Sequence, residues 1–169
     1  GNATRILMAT LDSSEAAEAG REATEAVGEA IVGASSLLAQ AESKKFLDNA
    51  QGGKLDEVRL ALNGGVHPDG PKTEDGWAAL MLAAEMGHAD VVQLLLDRGA
   101  DKDLKSKEHG QTPLFAAAWG GHPDVVQLLL DRGADKKIKS KKHGKTALFM
   151  AVLNGKTECA ALLRGEGDY

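Results

Sequence analysis

Few side chains in this chain have the types and spacing that catalysis or metal binding requires. Gly144-Lys145-Thr146 has the end of a phosphate-cradling loop, in which backbone N–H groups and a lysine hold a nucleotide. The leading glycine such a loop needs has no counterpart, because Lys141-Lys142-His143 stand on that side. His67, His109 and His143 carry imidazoles able to ligate a metal, but they lie 34 or 42 residues apart in separate loops. His88 and His122 each follow a glycine and repeat one position of a larger pattern. The single cysteine, Cys159, excludes an internal disulfide framework and a Cys-rich zinc site. There is no Gly-x-Ser-x-Gly and no His-Glu-x-x-His. These residues predict a protein that is no enzyme and carries no cofactor and no metal.

The spacing of the histidines leads to the elements that position them. Residues 90–102 read Asp-Val-Val-Gln-Leu-Leu-Leu-Asp-Arg-Gly-Ala-Asp-Lys, and residues 124–136 read the same. The offset of 34 extends to Gly87-His88 with Gly121-His122, and to His109-Gly110 with His143-Gly144. A fixed period of this size is the mark of a stacked repeat protein. Within one period, Thr112 is placed to cap a helix and Pro113 to open it, where a missing N–H costs nothing. Gly120-Gly121 ends that helix, and His122-Pro123-Asp124 starts a second. In the second helix only Gln127 interrupts Val125 to Leu130, so both flanks must be covered by neighbours. Gly133 stops it, and a lysine-rich loop follows. One such unit cannot bury its own apolar surface, whereas stacked copies can.

Gly110, Thr112, Pro113, Leu114, Ala117, Ala118, Gly121 and His122, followed by Gly133, Ala134 and Asp135, resemble the ankyrin repeat. Three departures stand out. The period is 34 rather than 33, with the extra residue near Lys107 and Lys141. Thr-Pro becomes Ala78-Ala79 and Thr146-Ala147. The aspartate before the corner becomes His109 and His143. The resemblance implies an all-α solenoid of helix–turn–helix repeats with β-hairpin finger loops, and a partner lying on the concave face of fingers and inner helices.

Carried over position by position, the resemblance makes Trp77, Gln111 and Lys145 the residues after each corner glycine. It makes Glu85 and Met86, Trp119 and Gly120, and Leu153 and Asn154 the residues closing each inner helix. Two of the chain's six aromatics thus fall at solvent-facing, variable positions. A rigidly held tryptophan is a common energetic anchor at an interface. Met81, Phe115 and Phe149 share one register and are expected to pack between repeats. Lys136, Lys137, Lys139, Lys141, Lys142 and Lys145 fall among ten residues without an acid, and Lys102, Lys105 and Lys107 echo them one repeat earlier. Such a ridge would steer an acidic, or mixed apolar and acidic, protein surface onto the groove. The candidate protein-binding residues are therefore Trp77, Glu85, Met86, Lys105, Lys107, Gln111, Trp119, Lys139, Lys141, Lys142, Lys145 and Asn154. The alternative is an anionic ligand, nucleic acid or phosphoinositide, held by the same lysines.

Charge is unevenly placed. Of 25 acids and 20 Lys or Arg, seven acids and two arginines fall in residues 1–42, which leaves eighteen of each beyond them. A neutral repeat body argues against a general nucleic-acid binder. Residues 1–11 read as an expression-tag remnant or disordered lead, with the tag at 1–7 and a natural start at Met8. Residues 12–41 form an acidic, alanine-rich helix, with Asp12 and Glu15 as a capping start and with Gly28, Gly33 and Ser35-Ser36 as points of weakness. Ala16, Ala19, Ala23, Val27, Ala30, Ala34, Leu37 and Ala41 line one face, and Glu15, Glu18, Glu22, Glu25 and Glu29 another. This helix is expected to cap the first repeat; the alternative is a segment for weak self-association or inhibition. Repeats follow at about 42–75, 76–109, 110–143 and 144–169. The last has a smaller, more polar second helix that suits a C-terminal cap. No secretory h-region and no long apolar run occur, so the expectation is an intracellular protein, cytoplasmic or nuclear, without a membrane span.

Overall fold

The computed structural model describes residues 13–142 and 144–165. The expected tag remnant or lead at 1–11, the Asp12 cap, His143 and the tail beyond Gly165 lie outside these. Eight helices occur among the described residues: α1 Ser13–Gln51, α2 Leu55–Asn63, α3 Ala79–Met86, α4 Ala89–Asp97, α5 Pro113–Gly120, α6 Pro123–Asp131, α7 Ala147–Leu153 and α8 Thr157–Arg164. The chain divides into two compact units between Ala41 and Glu42.

In the first unit, α1 passes through the weak points Gly28, Gly33 and Ser35-Ser36 without a break. A helical glycine costs only about 1 kcal/mol against alanine, and the segment is dominated by alanine and glutamate, which are strong helix formers. Thr24 turns its hydroxyl back to donate to the Gly20 carbonyl at 2.7 Å. All side chains from Ser14 to Ala41 are exposed.

The second unit is a row of helix pairs. Phe46, Leu47 and Ala50 share a core with Val58 and Leu62 of α2, followed by the pairs α3/α4, α5/α6 and α7/α8. The inner helices α3, α5 and α7 pack on one another, as do the outer helices α2, α4, α6 and α8. Burial follows the 34-residue register. Val91, Val92 and Leu95 are fully buried, and so are Val125, Val126 and Leu129. Cys159 takes the place of those valines and is also buried. Thr112 and Thr146 cap α5 and α7 by accepting from the backbone N–H groups of Phe115 (3.2 Å) and Phe149 (3.3 Å). Ala78, in the same register, has no side chain able to do so.

Two sets of bonds join successive repeats. His88 Nε2 lies 2.9 Å from the Gln51 carbonyl, and His122 Nε2 lies 2.8 Å from that of Glu85. Each ring crosses to the end of the preceding inner helix, which accounts for the repeated Gly-His pair. In the loops, the Asp69 carboxylate accepts from the Asp101 N–H at 2.9 Å, and Asp103 accepts from that of Asp135 at 2.8 Å. The fingers are turns rather than β-hairpin ladders. Among the described residues the only bridge is the isolated antiparallel pair Lys72–Ala78. Thr73–Trp77, Ser106–Gln111 and Ser140–Lys145 each close a corner with one backbone bond. The side chain then takes over. Buried Ser106 and Ser140 accept through Oγ from the N–H groups of Gln111 and Lys145.

Candidate functional site

A surface that combines apolar and cationic groups lies between the inner helices α5 and α7 and the fingers that precede them. A cleft of about 250 Å³ is lined by His109, Gln111, Phe115, Trp119, Ser140, Lys142, Lys145 and Met150. Helix α5 supplies Phe115 and Trp119, four residues apart and therefore stacked on one helical face. Trp119 is 48% exposed, whereas Phe115 and Met150 are mostly covered and form the floor. The closed Ser140 corner sets the position of Lys145, whose Nζ sits 3.5 Å from the centre of the Phe149 ring. That cation–π contact fixes a charge at the rim without neutralising it.

Four of the candidates, Gln111, Trp119, Lys142 and Lys145, meet in this cleft. The others are dispersed. Trp77 is half-buried against the core, and its N–H donates to Thr73 Oγ1 at 3.0 Å. Met86 is 48% exposed and Asn154 is exposed, while Glu85 is half-buried and gives its carbonyl to His122. Lys105, Lys107 and Lys139 are exposed on the fingers. Lys141 is committed to the fold, because its Nζ donates to the Lys107 carbonyl at 2.9 Å and its N–H to that of His109 at 2.8 Å. Lys102 pairs with Asp103 at 2.9 Å, and the hydrogen bond to that carboxylate raises its pKa.

The other four lining residues, His109, Phe115, Ser140 and Met150, are not among the sequence candidates. Ser140 had a signal, since it repeats Ser106 at the period and stands five residues before Lys145. Phe149 was expected to pack between repeats like Met81 and Phe115, but it is 40% exposed beneath Lys145. Among the described residues, no group of three or more His, Cys, Asp or Glu side chains could hold a metal, and no helix is long and apolar enough to cross a membrane.

The decisive comparison is with the family profile described as ankyrin repeats (3 copies), which matches residues 49–106 and 101–168. The chain belongs to the ankyrin-repeat family. No curated protein matches it. Ankyrin repeats are in general protein–protein interaction modules. In this ankyrin-repeat chain two of the sequence features noted above, His109 and the finger residues next to Lys141, fall at the cleft.

Proposed function

We propose that this ankyrin-repeat protein binds a partner protein on the face formed by its inner helices and fingers. The cleft around Trp119 is the centre of contact, and the partner surface presents an apolar side chain flanked by carboxylates. The observation that supports this reading is the meeting of an exposed tryptophan, a covered Phe–Met floor and two lysines within one 250 Å³ depression. Trp119 would bury its ring against the incoming side chain, and Lys142 and Lys145 would pair with the acids. Partly buried, charge-assisted bonds of this kind fix register as well as affinity.

The test uses photo-cross-linking from two positions in cell extract. A photoreactive residue at Trp119 should capture one partner that the same residue at exposed Gln127 on α6 does not. Capture from a probe on the neighbouring inner helix α7, in place of exposed Leu153, should be lost with Lys142→Glu. Equal capture from both positions would refute the assignment of the face.

Exposed Lys137, Lys139 and Lys142 favour a second reading, an anionic nucleic acid or lipid headgroup held by the last finger. That reading requires steeply salt-dependent binding. Retention on heparin only below physiological salt would remove it.

A further inference from the structure

We propose that helix α1 pairs with α1 of a second copy of this chain, antiparallel, through one stripe of its surface. Thr24, Val27, Ile31, Ala34, Leu38 and Ala41 recur at alternating spacings of three and four, the seven-residue pattern of a helix seam. Glu15, Glu18, Glu22, Glu25 and Glu29 all occupy positions turned away from that seam. Val27, Ile31 and Leu38 are 58%, 60% and 65% exposed in the single chain, so the seam is an uncovered apolar face.

Self-complementarity identifies the occupant. In one antiparallel register, Ile31 lies on the partner's Ala34, Val27 on the partner's Leu38 and Thr24 on the partner's Ala41. Every large seam residue then meets a small or medium one. Arg21 and Glu42, charged residues on one flank of the seam, have opposite signs, and this same register places Arg21 beside the partner's Glu42. The two-fold axis repeats that pair at the other end, as an isologous contact requires. A parallel pairing would set Ile31 on Ile31 and Gly20 on Gly20, which leaves voids. It would also hold Arg21 and Glu42 about 30 Å apart at 1.5 Å per residue. The glutamates point outward in the antiparallel pair and so do not oppose it, whereas they would oppose an anionic membrane.

Lys45 continues the spacing beyond Ala41, and Glu42 and Asn49 flank it. They line a groove of about 370 Å³ with Phe46 and Leu60, and Leu60 is 66% exposed. The register brings the partner's Ala16, Ala17 and Gly20 alongside this stretch, where small residues are needed. A dimer of this kind carries two Trp119 clefts, so a repetitive partner would be held at both.

Analytical ultracentrifugation of the full chain should give a dimer, and Val27→Glu with Leu38→Glu should abolish it while leaving the unfolding transition of the repeats in place. Arg21→Glu and Glu42→Arg should each weaken the dimer about tenfold, which corresponds to about 1.4 kcal/mol. The combined exchange should restore it. Spin labels at Glu15→Cys, in a Cys159→Ala background, should be about 50 Å apart. A monomer at all concentrations, a dimer indifferent to Val27→Glu with Leu38→Glu, charge effects that only add, or a label distance below about 20 Å (the parallel arrangement) would each overturn the proposal.

Discussion

Replacing Gly87 with alanine tests how the repeats are joined. Gly87 ends α3 in the left-handed region, at φ 79° and ψ 23°. A side chain there costs about 1–2 kcal/mol from backbone conformation alone. The new Cβ would also lie 2.6 Å from His122 Cε1, closer than real Cβ contacts come. The imidazole must move, and its 2.8 Å bond to the Glu85 carbonyl is lost. Such a bond contributes about 0.5–1.5 kcal/mol net, so the whole loss is about 1.5–3.5 kcal/mol. Gly121 provides the control, because its φ is also 79°. The Cβ at Gly121 meets the Lys156 tail instead, 2.5 Å from Cδ, and a flexible tail can swing aside. Gly121→Ala should therefore cost only the backbone share, about 1–2 kcal/mol. Urea unfolding followed by circular dichroism, with amide exchange in α3 to α6, reads both. In a His122→Ala background the cost of Gly87→Ala should fall to that of Gly121→Ala, a coupling that a double-mutant cycle isolates. Equal costs at the two glycines, or no coupling with His122, would refute the role assigned to the ring.

Three further outcomes are expected. Thr112→Ala should lower stability by about 1–2 kcal/mol in urea unfolding, because its buried hydroxyl caps α5 and nothing replaces it. The Cys159 thiol should resist a disulfide reagent at pH 8 at a rate set by unfolding, since burial pushes its pKa up; rapid stoichiometric labelling of the native protein would contradict this. Asp97 should titrate below the ordinary aspartate value of about 3.9, held down first by the 2.7 Å bond from Arg132 and then by Gln93. The pair's contribution is therefore present above that value and lost as pH falls through the depressed one. Arg132→Gln should move the carboxyl resonance midpoint upward in an NMR titration, and an unchanged midpoint would show that the pair does not form in solution.

Whatever one repeat settles internally is legible in the order of its residues. The period of 34, the Thr112 cap, the glycines that end the helices and the buried register of Val91, Val125 and Cys159 follow from side-chain periodicity and backbone conformation, which are local properties. The family resemblance rested on the same residues. Contacts between repeats were decided only by the tertiary structure. The reach of His122 to the Glu85 carbonyl, the commitment of Lys141 to Lys107, the half-burial of Trp77 and the gathering of Phe115, Trp119, Lys142 and Lys145 depend on how far one unit is displaced from the next. No residue type encodes that displacement, because it is the net result of many packed side chains on two facing helices. Continuity of α1 was likewise undecided by composition. Glycine and serine weaken a helix by amounts that strong neighbouring helix formers can offset, so the outcome depends on the whole segment rather than on its weakest residues.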